Sequence, residues 1–242
     1  MKQIKSLKGK SVAIVGMGKS WFDYNLAKSH GVHFDEVWAI NGVGTVIYHD
    51  RVFMMDPASR FLDTDDAGGQ TESMAEMLQV HEGPIYTCEL DDRCPGLVEY
   101  PIEEVIQDLN CYYLNNTVAY SIAFALWNEV AVLKMFGVDF SYKGNLHFAE
   151  AGRACVEFWL CKCSEAGMQI EVASSSGLLD TSVPLNEKLY GYHRLKDPLL
   201  PVLKDGVLTV QKQSSLEKKA TEEQVLIGRH DEHLKPVEPN KW

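Results

Sequence analysis

The sequence predicts an α/β protein with a Rossmann-like, mostly parallel sheet, helices on both faces of the sheet, and a C-terminal appendage. Short apolar and β-branched runs alternate along the chain with segments of helical spacing, an order typical of parallel βαβ units. The runs end in glycine-rich or polar residues, which is typical of the turns that follow buried parallel strands.

The first half of the chain supplies four predicted strands, at residues 11–15, 36–40, 51–55 and 83–87. A glycine-rich turn after the first strand leads into a predicted helix over residues 21–29, with Ser20 at its N-cap. Further helices are predicted over residues 71–80 and 102–109. Residues 59–69 are polar and rich in Gly and Asp, so they are predicted to form a loop that serves as a mobile lid.

The second half continues the alternation. Residues 116–127 form a strongly apolar predicted helix, buried on most sides, and residues 129–136 form a strand that ends at Gly137-Val138-Asp139. A long helix over residues 147–166 is closed by Gly167, and a last strand covers residues 168–173.

The composition changes after Pro184, which predicts two parts. Residues 1–183 form the predicted Rossmann-like nucleotide-binding domain, and residues 184–242 an appendage or oligomerisation arm that favours a homo-oligomer. The arm contains an apolar stretch at 198–203, a charged helix-like segment at 214–224 and a polar tail.

The formal net charge of −11 limits the classes of partner. An acidic chain repels nucleic acids and anionic membranes at long range, which disfavours nucleic acid and favours small molecules or proteins. The longest apolar run, residues 118–127, is too short to span a bilayer, and the basic N-terminus lacks a cleavage-like site. The six cysteines show no metal-like spacing, so we expect a cytoplasmic protein in a reducing compartment.

The main functional signal is the concentration of polar residues where the predicted strands end, since ligands bind there in open parallel sheets. After the first strand, Gly16, Gly18, Lys19 and Ser20 join strand to helix, and backbone N–H groups at such a position bind phosphate well. A Walker A loop would need glycine at Ala13, and the dinucleotide fingerprint would need Gly or Ala at Trp21. The loop is therefore either an unconventional phosphate loop or a plain tight turn.

Asn41 and Asp56 end the second and third strands. Asn41 suits a ribose or base edge because an amide both donates and accepts, or it caps its own turn. Asp56 suits a ribose hydroxyl or a divalent cation, or it simply begins the turn at Pro57.

The candidate catalytic group centres on His147. It begins the long helix soon after Asp139, and it shares a helical stripe with Glu150. A histidine beside carboxylates is a good general base, with Glu150 or Asp139 orienting the ring. The alternative is a solvated polar face. His147 and Glu150 lack a third ligand at a metal-like spacing, so no metal site is predicted.

The order of these motifs resembles the bacterial sialyltransferase-like superfamily, which includes motility-associated-factor glycosyltransferases and 6-hydroxymethylpterin diphosphokinases. The resemblance covers about residues 11–180. It rests on the strand and turn up to Ser20, on Asn41, on Asp56-Pro57, on Asn115-Asn116-Thr117 before an apolar helix, and on Gly137-Val138-Asp139-Phe140 followed by Tyr142 and His147.

The resemblance implies roles for these residues. The nucleotide would contact Gly16, Gly18, Ser20, Asn41 and Asp56, and its phosphate would lie near Asn116 and Thr117. Tyr142 would hydrogen-bond the leaving phosphate, and His147 would deprotonate the acceptor hydroxyl. Met17 stands where the sialyltransferases carry an asparagine that contacts the nucleotide, so cytidine specificity does not follow.

Three functions follow as hypotheses. The first is a glycosyltransferase that uses a nucleotide sugar as donor, with His147 as base and Tyr142 and the first loop stabilising phosphate charge. The second is a pyrophosphokinase-like transferase that uses ATP and Mg²⁺, with Asp56 and Asp139 on the metal. The third is a protein that binds a nucleotide or metabolite without catalysis.

Overall fold

The computed structural model describes residues 2–65, 68–141 and 144–218, and the chain divides into two compact units after Ser182. The first unit contains a seven-stranded sheet whose neighbouring strands are all parallel. The predicted Rossmann-like class is confirmed by this sheet and by helices on both of its faces.

The strands are β1 (Ser11–Val15), β2 (Glu36–Ile40), β3 (Arg51–Phe53), β4 (Ile85–Thr87), β5 (Leu97–Glu99), β6 (Val132–Phe136) and β7 (Gln169–Val172). Their order across the sheet is β5-β4-β3-β2-β1-β6-β7. The chain therefore winds outward from β1 in one direction up to β5, then returns to place β6 on the other side of β1. The boundary between β1 and β6 is the topological switch point.

The helices are α1 (Trp21–Ser29), α2 (Ser59–Leu62), α3 (Thr71–Val80), α4 (Ile102–Leu109), α5 (Thr117–Trp127) and α6 (Leu146–Glu165). Alternate strand residues feed two separate cores because successive side chains point to opposite faces of a sheet. Val12 and Ile14 pack with α4, α5 and α6, whereas Ala13 and Val15 pack with α1, α2 and α3. Within the described residues, no helix is both long and apolar enough to cross a membrane.

The structure differs from the sequence predictions in three places. Residues 59–69, predicted to be a loop, contain the short helix α2 and a 3₁₀ turn from Gly68. The strand β5 was not predicted, since three partly polar residues carry too little pattern for an edge strand. Residues 51–55 were predicted as one strand, but pairing stops at Phe53.

The second unit, as far as residue 218, contains an antiparallel hairpin. Its strands are β8 (Leu199–Lys204) and β9 (Val207–Lys212), joined at Asp205-Gly206, where both residues have positive φ. The apolar stretch at 198–203 is thus a strand, and residues 213–218 begin the predicted helix. The role of this unit as an oligomerisation arm stays a prediction.

Candidate functional site

Two loops meet at the switch point and line a cavity. One follows β1 and the other follows β6, and the cavity between them has a volume of about 400 Å³. Asn41 after β2 and Gln70 before α3 complete its wall, together with Lys19 and Asp139. The structure therefore brings together most of the residues that were predicted from the ends of β1, β2 and β6.

Glycines allow the two loops to interlock. The N–H of Gly16 donates to the carbonyl of Phe136 at 2.8 Å, and the N–H of Gly18 donates to the carbonyl of Gly137 at 2.8 Å. A Cβ on Gly16 would lie 2.5 Å from the Gly137 oxygen, and one on Gly18 would lie 2.5 Å from Asp139 Oδ2. Both glycines are thus required by contact between the loops, a reason that the sequence did not reveal.

Ser20 and Asp139 join the two loops through hydrogen bonds. Ser20 is fully buried, and its hydroxyl accepts the N–H of Gly137 at 2.9 Å, while its own N–H donates to Asp139 Oδ2 at 2.8 Å. Ser20 stands at the N-cap of α1 as predicted, but its side chain makes no cap hydrogen bond, because its hydroxyl accepts the N–H of Gly137 instead. Ser20 is not among the residues that line the cavity.

The cavity wall contains buried polar atoms that lack partners. Asp139 is only 7% exposed, and its Oδ1, like Oδ1 of Asn41, has no hydrogen-bond partner among the described residues. Met17 and Lys19 are exposed residues, and within the same described part no acceptor is bonded to their N–H groups, which alternate with the bonded N–H groups of the loop. Buried polar groups are rarely left unpaired, so this wall is suited to a polar ligand.

Two residues of the wall have positive φ without being glycine. Asn41 has φ 50° and Phe140 has φ 48°, and both line the 400 Å³ cavity and its larger neighbour. Such a conformation costs of the order of 1–3 kcal/mol and concentrates at ligand sites. The Phe140 ring packs against Gly152 of α6, where a Cβ would lie 2.6 Å from a ring carbon. The wall is therefore held in place by tight packing.

The larger cavity has a volume of about 770 Å³ and receives the beginning of α5. Asn116 caps this helix, since its Oδ1 accepts the N–H of Ala119 at 3.0 Å, and its Nδ2 donates to the carbonyl of Gly152 at 3.3 Å. Helix geometry leaves the N–H groups of Thr117 and Val118 without intrahelical acceptors, and both residues line the cavity. The partial positive charge of a helix N-terminus favours an anion there.

Asp56 also lines the larger cavity, but it is paired. Its Oδ1 lies 2.6 Å from Nη1 of Arg60, one helical turn later, and its carbonyl accepts the hydroxyl of Thr87 at 3.2 Å. Tyr120 lies in the same wall, where burial raises the pKa of its phenol. The cavity thus offers a guanidinium and a phenol as well as the helix terminus.

The predicted catalytic residues His147 and Glu150 lie outside the linings of the two cavities. Both are exposed on α6, although Phe148 lines the larger cavity. Tyr142 lies outside the described residues. Asp56 and Asp139 line different cavities, and no three His, Cys, Asp or Glu side chains of the described part are grouped as metal ligands would be.

Sequence reasoning missed Arg60 and Gln70, and it gave Phe140 no role beyond its place in the motif that ends at β6. Arg60 follows Asp56 at the spacing of an ion pair on a helix, a signal that was hidden because residues 59–69 were predicted to be a loop. Gln70 carried no local signal.

No protein family and no curated protein matches the sequence. The fold is similar to solved structures of the sialyltransferase CstII from Campylobacter jejuni. With the structure of that enzyme in complex with CMP-3FNeuAc, this chain shares 15% sequence identity and a TM-score of 0.49, over 87% of this chain and 99% of that chain. With the structure in complex with cytidine-5'-monophosphate, the identity is 14% and the TM-score is 0.46, with the same coverage. Likenesses at this level carry no information about the ligand of this chain.

Proposed function

We propose that the paired cavities bind a nucleotide-activated sugar and that the protein is a glycosyltransferase. One observation carries the proposal: the buried oxygens of Asp139 and Asn41 share a cavity wall with the N–H groups of Met17 and Lys19, and none of these four groups has a partner among the described residues. A ligand that satisfies this wall presents both hydrogen-bond donors and hydrogen-bond acceptors. A nucleotide does so through its ribose hydroxyls and its phosphate.

The larger cavity supports the sugar half of the proposal. A nucleotide sugar has a second polyhydroxylated ring beyond its phosphate, and the 770 Å³ volume beside the first cavity accommodates such a group. The N–H groups of Thr117 and Val118 are available for the phosphate between the two rings. Asn41 and Phe140 line both cavities, so a single ligand can extend from one to the other.

The transfer step assigns His147 as the base. Its imidazole takes the proton of an acceptor hydroxyl, whose oxygen attacks the anomeric carbon of the sugar. The bond from that carbon to the phosphate oxygen breaks, and the nucleotide leaves with the electron pair. The developing charge on the phosphate is stabilised by the N-terminus of α5, and by Tyr142 in the role that the motif resemblance implies. His147 lies next to Phe148, which places it near the rim of the larger cavity.

A thermal-shift panel tests the choice of ligand. The panel contains CMP, UDP, GDP and ATP and the corresponding sugar nucleotides, each with Mg²⁺ and with a chelator. We expect one nucleotide family to raise the melting temperature irrespective of chelator, because ligand binding stabilises by mass action. Sugar release or transfer from the matching donor then tests catalysis.

The other outcomes separate the alternatives. A shift with ATP alone that vanishes with chelator would favour the pyrophosphokinase-like transferase. A shift without turnover of any donor would favour a binding protein. No shift with any nucleotide would contradict the proposal.

A further inference from the structure

Two histidines outside the candidate site form a direct hydrogen bond. His49 lies between β2 and β3, and His81 follows α3. Their rings are nearly coplanar, with centroids 5.0 Å apart at an interplanar angle of 15°, and meet end to end with their Nε2 atoms 2.8 Å apart. Both residues are partly buried.

The backbone fixes the proton positions on both rings. The N–H of Gly83 donates to Nδ1 of His81 at 2.8 Å, so that atom holds a lone pair and the neutral ring carries its proton on Nε2. Nδ1 of His49 lies 2.9 Å from the carbonyl of Ile47, which only accepts, so Nδ1 carries the proton and Nε2 holds the lone pair. His81 Nε2–H therefore donates to His49 Nε2.

This chain of hydrogen bonds has no place for another proton. A proton on His49 Nε2 would set two N–H groups facing each other over 2.8 Å. A proton on His81 Nδ1 would face the N–H of Gly83. A metal is disfavoured by the same argument, because it needs lone pairs on both Nε2 atoms and would force a proton onto His81 Nδ1. Burial, reinforced by the charge of His49, also lowers the pKa of His81.

The pair ties together two segments that begin at the candidate site. Residues 41–50 and α3 both run from the carboxyl edge of the sheet to its opposite edge, and the turn Asn41–Thr45 packs against α3. Asn41 and Gln70, at their starting ends, line the smaller cavity, and a Cβ on Gly42 would lie 2.8 Å from Oε1 of Gln70. His49 and His81 join the far ends.

We propose that His49 and His81 form a proton-sensitive latch, which is closed when both rings are neutral and opens when His49 gains a proton on Nε2. A proton on His81 Nδ1 instead breaks the bond from the N–H of Gly83. Opening releases residues 41–50 from the end of α3. The wall of the cavity that contains Asn41 and Gln70 is thereby loosened in acid.

Among the described residues, the charges that act on His81 are those of His49 and of Glu82, and the Glu82 carboxylate favours protonation of His81. Charges on the adjoining segments have partners of their own: Asp50 accepts the N–H of Val37 at 2.8 Å and the Tyr48 hydroxyl at 3.2 Å, and Arg51 pairs with Glu36 at 2.7 Å. Glu72 and Glu76 also lie on α3, and Arg93 pairs with Asp63 and Asp91.

Nitrogen NMR of the imidazoles tests the latch on the unmodified protein. At pH 7.5 we expect the Nδ1–H tautomer for His49 and the Nε2–H tautomer for His81. On acidification we expect the ring of His81 to titrate below the ordinary imidazole value of 6.5. Mixed tautomers at pH 7.5, or titration of His81 at or above 6.5, would overturn the proposal.

A variant tests the consequence for stability. His49→Phe keeps an aromatic ring but removes the acceptor, and His33→Phe, at an exposed histidine, is the matched control. Because the pKa of His81 is lowered, the folded wild type binds fewer protons than the unfolded chain. The contribution of the neutral His81 ring to stability is therefore complete above pH 6.5 and is lost as the pH falls through the lowered pKa. We expect His49→Phe to lose less stability than wild type between pH 7.5 and 5.5, and His33→Phe to behave as wild type.

Equal pH dependence in wild type and His49→Phe would overturn the latch. Should His49→Phe fail to fold, hydrogen exchange of the wild type decides. Faster exchange of the Gly83 amide below pH 6, relative to the amides of β1, supports the latch, and an unchanged ratio contradicts it.

Discussion

The substitution Asp139→Asn tests whether the carboxylate of Asp139 binds a ligand or only stabilises the fold. The change keeps the shape of the side chain, and the amide oxygen still accepts the N–H of Ser20, now at 2.8 Å from Oδ2. The NH₂ group takes the place of Oδ1, which is buried and has no partner among the described residues. A donor then stands where the proposal requires an acceptor for a ligand hydroxyl.

The size of the effect follows from the hydrogen bond that is lost. A hydrogen bond to a charged group contributes about 1.5–3 kcal/mol, which corresponds to roughly a 10-fold to 150-fold weaker Kd. The free energy of unfolding should remain within about 1 kcal/mol of wild type, because the bond to Ser20 persists and an unpaired buried carboxylate is removed.

Calorimetric titration with the preferred nucleotide, together with urea unfolding, measures both quantities. Asp92→Asn is the matched control, since it removes the same charge from an exposed position in the turn before β5. A large loss of stability with unchanged affinity would refute the reasoning and would show that Asp139 only fastens the two loops together.

Three further predictions concern other parts of the first unit. His147→Ala should lower the rate of transfer by about 10²–10⁴-fold without changing nucleotide affinity, as measured by steady-state kinetics and titration. Gly16→Ala should destabilise the fold by about 1–3 kcal/mol in urea unfolding, because its Cβ would lie 2.5 Å from the Gly137 oxygen. Hydrogen bonds from Ser11 and Lys10 lower the pKa of Asp35 to about 2, so wild type should lose stability as the pH falls from 4 towards 2, and Asp35→Asn should lose less.

Most of the parallel sheet was predictable because its signal is local. β1 and β2 are buried on both faces after their first residue, so each reads as an apolar run that ends in Gly or Asn, and the run of β6 is interrupted only by Lys134. The prediction failed where an element forms only because it pairs with another strand. β5 is an edge strand of three residues that pairs only with β4, and its sequence alone does not distinguish it from a loop.

The candidate site was predictable to the same extent. The ends of parallel strands converge on one edge, so Gly18, Asn41 and Asp139 were found without knowledge of side-chain contacts. Their individual roles depend on long-range geometry. The sequence does not show that Ser20 is buried beneath Gly137, or that Asp56 is paired with Arg60.

Chemical-shift mapping locates the ligand most directly. With ¹⁵N-labelled protein and the nucleotide that gives the largest thermal shift, we predict that the amides of Met17, Lys19, Thr117 and Val118 and the side-chain amide of Asn41 change most. These five groups surround the two cavities and come from three separate loops. Changes confined to the hairpin of the second unit or to the far edge of the sheet would contradict a nucleotide site at the β1–β6 switch point.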